Sequence, residues 1–76
     1  MQKERAADLG QVQGTCKWFD QRKGYGFATL EDGREAFIHL SSLKDGRTDL
    51  NDGEAITGRL MNGSRGLFLK DVYVSA

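Results

Sequence analysis

Cysteine and histidine are almost absent from this sequence. Its 76 residues contain one of each, Cys16 and His39. An intradomain disulfide is therefore excluded, which fits a reducing compartment. A zinc site is not expected either, because such sites normally take four ligands from histidine, cysteine and carboxylate side chains. We predict no metal and no other cofactor.

Long apolar runs are also missing. No stretch approaches the roughly 20 apolar residues that span a bilayer. The first ten residues, MQKERAADLG, are polar and lack the apolar centre of a signal peptide. These features predict a cytoplasmic protein without membrane segments.

A net charge is lacking too, since 11 basic residues balance 11 acidic ones. This balance argues against a protein that binds nucleic acid mainly through phosphate charges, which would require a basic excess. The charges are nevertheless separated along the chain. Lys17, Arg22 and Lys23 lie close together, whereas Asp45 to Glu54 is an acidic stretch, so a weakly basic face is compatible with zero net charge.

The length of the chain permits one domain. We predict a flexible N-terminal tail at 1–10 and a folded domain at 11–76. Nine of the ten glycines lie in the folded part and divide it into short pieces. Strands are predicted at 11–20, 24–30, 35–40, 54–62 and 66–75. With no amphipathic helix of useful length, this pattern indicates an all-β barrel or sandwich.

The segment KGYGFATLEDGREAFIHL, from Lys23 to Leu40, separates rings from aliphatic side chains. Side chains alternate between the two faces of a strand. Tyr25 and Phe27 therefore share one face of the first strand, and Phe37 and His39 share one face of the second.

The loop between these strands decides how they pair. A two-residue turn at 32–33 would place Phe27 opposite Ile38 and mix rings with aliphatic side chains. A three-residue loop at 31–33, ending in a left-handed glycine that forms a bulge, places Phe27 opposite Phe37. We predict the three-residue loop, because only that register gives one all-ring face.

The aliphatic face is the predicted core side. Its expected partners elsewhere in the chain are Cys16, Ile56, Leu60, Leu69, Val72 and Val74. The rings then resemble an exposed platform for stacking. The alternative, rings as one wall of a sandwich core, is disfavoured because His39 and Lys17 would resist burial.

In the last predicted strand, the apolar side chains switch from one face to the other partway along. Leu69 and Val72 cannot both face the core in a regular strand. A bulge near 70–71 would bring both inward, and Phe68 and Tyr73 would then face away from the core.

Enzyme motifs are lacking. GYGFAT does not have the third glycine of a dinucleotide fingerprint, and no Walker-type loop occurs. His39 has neither a nucleophile with an orienting partner nor a carboxylate pair to work with. We predict that the protein is not an enzyme.

The ring segment instead resembles an RNA-binding signature. KGYGFA loosely matches the longer motif of the RRM, and AFIHL resembles its shorter motif. In an RRM the two motifs occur in the reverse order with a helix between them. Here only residues 28–36 separate Phe27 from Phe37, which leaves room for a hairpin alone.

Taken in order, KWFD, KGYGFA, AFIHL and NDGEAI resemble a cold-shock domain, the small five-stranded antiparallel OB-type barrel of bacterial cold-shock proteins and Y-box proteins. The resemblance covers roughly Gln11 to Val74. It implies binding to single-stranded RNA or DNA, often with a preference for pyrimidines. Many members are RNA chaperones or transcription antiterminators. The expected state is a monomer, with an edge-paired dimer as the alternative.

The resemblance also implies a set of nucleic-acid-binding residues. The rings that would stack on or pack against bases are Trp18, Phe19, Tyr25, Phe27, Phe37 and His39. The basic side chains that would meet phosphates or base edges are Lys17, Lys23 and Arg65. This chain departs from the family where GLFLKD replaces a proline-containing segment, and Phe68 of that segment would add a ring near the ligand.

Two departures from the family leave a second function open. Leu40 stands where many bacterial members carry another ring, and the 44–50 loop is short and has no ring, with Arg47 as the nearest substitute. Together with zero net charge, these features are compatible with an OB-type protein-interaction module whose nucleic-acid binding is weakened. An S1-like or initiation-factor-like OB domain is a third reading, but it explains the motifs less well.

Overall fold

The computed structural model describes residues 7–75, which form a closed barrel of five strands. The strands are β1 (Ala7–Asp20), β2 (Tyr25–Leu30), β3 (Glu35–His39), β4 (Ala55–Gly63) and β5 (Gly66–Val74). One turn of 3₁₀ helix, Leu40–Ser42, follows β3. The order around the barrel is β1-β2-β3-β5-β4, which confirms the predicted all-β OB-type barrel.

One neighbouring pair departs from the antiparallel prediction. β3 and β5 run parallel, with Phe37 opposite Phe68 and Ile38 opposite Leu69. The other four pairs are antiparallel. The exception follows from the connections: β4 runs antiparallel to β1, and a tight turn then sends β5 back in the direction of β3.

The first strand begins earlier than predicted. Residues 7–10, predicted as tail, belong to β1, and Ala7 lies opposite Asn62 of β4. The rest of the predicted tail, 1–6, lies outside the described residues. Backbone pairing does not require apolar side chains, so a prediction based on apolar residues stopped short of this segment.

Polar contacts stabilise the start of β1. A carboxylate oxygen of Asp8 accepts a hydrogen bond from the Gly10 amide at 2.9 Å, and the Arg59 guanidinium lies 3.2 Å from the same atom. These two donors, the amide first, hold the pKa of Asp8 below its usual value. The register shifts between Asp8 and Gly10, and Leu9 is left 48% exposed at this bulge.

The hairpin between β2 and β3 has the predicted register. Phe27 lies opposite Phe37, and Tyr25 lies opposite His39. Gly33 has a φ of +93°, and its amide donates to the Leu30 carbonyl at 2.9 Å. The three-residue loop at 31–33 is therefore confirmed.

The aliphatic faces of the strands form the core. Its buried members are Cys16, Ala28, Leu30, Ala36, Ile38, Leu43, Leu50, Ile56, Leu60, Leu69 and Val72. Val74, predicted with them, is only partly buried and packs at the edge of this cluster. The assignment of the aliphatic face to the interior is otherwise confirmed.

β5 contains the predicted bulge. Between Lys70 and Tyr73 it has one residue more than β4 opposite. Asp71 takes up the irregularity with a φ of +50°. As a result Leu69 and Val72 both reach the core, each 1% exposed.

The Cys16 thiol is buried in the core. Burial raises its pKa to about 11, and the carboxylates of Asp52 and Glu54 add to the effect. The unfolded chain, whose thiol ionises near its ordinary value of 9.0, loses its proton first as the pH rises. This group therefore stabilises the fold fully below about pH 9, and that contribution is lost as the pH rises towards 11.

We expect this loss to appear in urea unfolding followed from pH 7 to pH 10.5. Other groups titrate in the same range, so Cys16→Ala is the reference. The difference in free energy of unfolding between the wild type and Cys16→Ala should shrink above pH 9. A difference that stays constant up to pH 10.5 would contradict the raised pKa.

Candidate nucleic-acid interface

One surface of the barrel carries a continuous group of rings. We call it the ring face, and its members are Trp18 on β1, Tyr25 and Phe27 on β2, and Phe37 and His39 on β3. The centroids of neighbouring rings are 5.6–6.4 Å apart. Their planes are tilted or edge-on, the arrangement that aromatic side chains prefer.

The ring face lies at the surface. Trp18 is 37% exposed and His39 is exposed, while the other three rings are half-buried. Ala28, Ala36 and Ile38, which alternate with these rings on β2 and β3, are completely buried. The alternative of a sandwich wall built from rings is therefore wrong for this barrel.

Trp18 reaches the ring face because β1 contains a bulge. Cys16 lies opposite Ala28, but Trp18 lies opposite Phe27, so Lys17 is an additional residue in the pairing. In a regular strand, Trp18 would share the inward face of Cys16. The bulge reverses the alternation and brings the indole next to Phe27.

Phe19 is the predicted ring that lies elsewhere. It is opposite Gly26 on the core side of β2 and packs, partly buried, against the core. A Cβ on Gly26 would lie 2.6 Å from Cα of Phe19 and even closer to the Trp18 carbonyl oxygen. Glycine at this position is what allows β1 to approach β2 so closely.

Lys17 is neutralised at the margin of the ring face. Its ammonium group lies 2.6 Å from a carboxylate oxygen of Glu35. Glu35 was not among the predicted site residues. It precedes Phe37 by two positions on β3 and so projects from the same side, which means that the alternation used for the rings would have found it.

Lys23 lies in the turn between β1 and β2. Asp20 shapes this turn, since one of its carboxylate oxygens accepts the amides of Arg22 and Lys23, each at 3.0 Å. The Lys23 side chain is exposed. Within residues 7–75 no carboxylate lies within 4 Å of its ammonium group.

His39 has a fixed ring orientation. Its Nδ1 accepts a hydrogen bond from the Ser41 amide at 3.0 Å and lies 2.9 Å from the Ser41 hydroxyl. Because Nδ1 is the acceptor, the neutral imidazole carries its proton on Nε2. Ser41, a residue that the sequence analysis did not single out, thus positions this ring through the cap of the 3₁₀ turn.

Phe68 lies beside the ring face, opposite Phe37 in the parallel pair. An open groove of about 760 Å³ adjoins both rings, and we call it the β5 groove. Its lining includes Phe37, His39, Ser42, Arg65 and Phe68. The structure therefore brings two further predicted residues, Arg65 and Phe68, next to the ring face.

The two family departures have structural counterparts. Leu40 is partly buried against the core. Arg47, the nearest substitute for a loop ring, has its guanidinium 2.9 Å from a carboxylate oxygen of Glu54 and 3.2 Å from the Asp49 carbonyl. The Asn51 amide and then Arg47 hold the pKa of Glu54 below its usual value. The guanidinium of Arg47 is therefore bound within the connection between β3 and β4.

Two further features are absent from residues 7–75. That part of the chain has no group of three or more histidine, cysteine or acidic side chains placed to hold a metal ion. No helix within it has the length and apolar character needed to cross a membrane.

The sequence of residues 12–74 matches the "'Cold-shock' DNA-binding domain" family. The chain belongs to the cold-shock domain family. Membership places it among nucleic-acid-binding proteins, in agreement with the motifs around the ring face. The match begins inside β1 and ends at the last residue of β5.

Curated relatives are cold-shock proteins of bacteria. The major cold shock protein CspA of Pseudomonas aeruginosa is 39% identical over 62 residues, which are 80% of this chain and 90% of the relative. Cold shock-like protein CspC of Bacillus cereus is 39% identical over 56 residues, 72% and 86% of the two chains. Cold shock protein CspA of Staphylococcus aureus is 40% identical over 55 residues, 71% and 83%. All three are named as cold-shock proteins, and none of these names is that of an enzyme.

Proposed function

We propose that this cold-shock domain binds single-stranded RNA or DNA by stacking bases on the ring face. The observation that carries the proposal is the continuous group of five surface rings above a core whose buried members include no ring. Base–aromatic stacking contributes about 1–3 kcal/mol per base and tolerates sequence variation. Three or four occupied rings would give useful affinity without a basic excess.

The charges around the ring face support the same mode of binding. Lys17 is paired with Glu35 at 2.6 Å, whereas Lys23 and Arg65 have no carboxylate within 4 Å among residues 7–75. Few cations are available for phosphates. They would orient the strand, and the rings would supply most of the binding free energy.

A preference for single-stranded nucleic acid indicates a cellular role. Base pairing hides the faces of the bases, so duplexes should bind poorly. A protein that binds the unpaired form shifts the pairing equilibrium by mass action, without ATP. We therefore propose an RNA chaperone or a regulator of transcription or translation that acts in the cytoplasm, with a preference for pyrimidine-rich strands.

The fluorescence of Trp18, the only tryptophan, tests the proposal directly. Oligo-dT, oligo-U, oligo-dA and a duplex would each be titrated at physiological salt. We expect quenching by single strands, with the pyrimidines strongest, and little response to the duplex.

The absence of any response from folded protein would overturn the proposal. That result would favour the alternative of a protein-interaction module, whose structural support is the ringless connection from Leu43 to Glu54. Equal quenching by the duplex would remove stacking as the mode of binding.

A further inference from the structure

The row of rings ends at His39. The chain continues into the 3₁₀ turn, where Leu40 packs partly buried against the core and Leu43 is buried. Residues 40–54 contain no aromatic side chain, and Arg47 closes its loop onto Glu54. A strand that stacks along β3 thus meets no further ring in this direction.

The β5 groove offers a ring in another direction. Phe68 lies opposite Phe37 across the parallel pair, on the side of β3 away from β2. Two residue pairs join β3 to β5, and Phe37 and His39 of the ring face line the β5 groove together with Phe68. A path from Phe37 onto Phe68 is therefore continuous with the ring face.

Phe68 is held in place by its surroundings. Its cross-strand neighbour Met61 is 8% exposed. A Cβ on Gly63 would lie 3.1 Å from Cε1 of the Phe68 ring, so the glycine provides the room that the ring occupies. Phe68 is half-buried, and its ring lines the groove.

The groove also has an available cation. Arg65 lies in the two-residue turn between β4 and β5 and lines the groove. Within residues 7–75 no carboxylate lies within 4 Å of its guanidinium. Glu35, the acidic residue of the lining, is already paired with Lys17. A guanidinium suits a phosphate group, because its planar fork of donors matches the oxygens.

We propose that the β5 groove binds one nucleotide at an end of the strand, with its base against Phe68 and its phosphate at Arg65. The bound strand then leaves the row of rings at Phe37 and turns across β3 onto β5. This inference rests on the proposed function and adds to it the path of the strand and a subsite of its own.

Affinity as a function of oligonucleotide length tests the subsite. Oligo-dT of three to eight nucleotides would be titrated, by fluorescence anisotropy of a labelled strand, into the wild type, Phe68→Leu and Arg65→Gln. Phe68→Leu keeps an apolar side chain over Gly63 but removes the ring. Tyr73→Ala, which removes an exposed ring from the same strand outside the groove, is the matched control.

For the wild type we expect each added nucleotide to raise the affinity until the groove is filled. Phe68→Leu should not gain the affinity that the last added nucleotides give the wild type. It should therefore bind the longest strands roughly 5- to 100-fold more weakly. The shortest strands should bind as they do to the wild type. Arg65→Gln should reduce the same gain in affinity, and Tyr73→Ala should leave the affinity unchanged at every length.

Three outcomes would overturn the subsite. The first is unchanged affinity of Phe68→Leu at every length, and the second is an equal loss at every length, which would mean that Phe68 only supports the ring face. The third is the absence of binding by the wild type, which would overturn the proposed function as well. The first two outcomes leave the proposed function intact, so the two failures can be distinguished.

Discussion

Replacement of Gly26 with alanine should destabilise the barrel more than any other glycine-to-alanine replacement in its strands. The new Cβ would lie 2.6 Å from Cα of Phe19, and closer still to the Trp18 carbonyl oxygen. Both are backbone atoms of β1, so no side chain can rotate away and the strands must separate. We expect a loss of about 3 kcal/mol or more, a large part of the roughly 4–11 kcal/mol expected for a domain of this size.

Gly58→Ala is the control for this experiment. Gly58 is also buried and inward-facing on a strand, but its nearest neighbour would be the Lys70 carbonyl oxygen at 3.3 Å. Urea unfolding of both variants should show a much larger loss for Gly26→Ala. Similar losses would mean that the close approach of β1 and β2 does not limit stability. Weak ring-face binding by a folded Gly26→Ala variant would show displacement of Trp18 without unfolding.

Replacement of Phe27 with alanine should have the largest effect on binding. Phe27 lies at the centre of the ring face, 5.6 Å from Trp18 and 5.7 Å from Phe37 between ring centroids. Loss of one stacking ring should weaken single-strand binding by about 5- to 150-fold. The ring projects away from the core, so the barrel should remain folded.

The measurement for Phe27→Ala should avoid tryptophan fluorescence, because Trp18 is a direct neighbour of the removed ring. Anisotropy of a labelled oligonucleotide reports binding independently of Trp18. Tyr73→Ala is a matched control, since Tyr73 is 45% exposed and lies outside the ring face. Unchanged binding by folded Phe27→Ala protein would remove Phe27 from the site. Equal losses for both variants would point to a nonspecific effect.

Alternation along two short strands predicted much of this structure. The segregation of rings from aliphatic side chains fixed the Phe27–Phe37 register, and that register required the loop at 31–33. The same reasoning placed a bulge near 70–71, because Leu69 and Val72 had to share the interior. These predictions succeeded because a one-residue slip in a half-buried strand moves every side chain to the wrong face.

Other features depend on partners that a linear pattern does not show. The bulge at Lys17 reverses the alternation of β1, and only the family resemblance placed Trp18 among the rings. Strand 7–10 is held by backbone pairing and by Asp8 rather than by apolar side chains. The parallel arrangement of β3 and β5 follows from the path of the whole chain. Alternation places Glu35 on the ring side, but its pairing with Lys17 depends on how β1 and β3 align on either side of β2.

The small side chains beneath the rings separate what the protein binds from whether it folds. On β2 and β3 the odd-numbered positions carry the rings, and the even-numbered positions carry Gly26, Ala28, Ala36 and Ile38 in the interior. Under the proposed function, substitutions at the odd-numbered positions change the ligand preference while the core stays intact. Substitution at the even-numbered positions is restricted, since Ala28, Ala36 and Ile38 are completely buried and a Cβ at Gly26 would collide with the backbone of β1. Descendants of this sequence can therefore change which nucleic acids the proposed site recognises while keeping the same barrel.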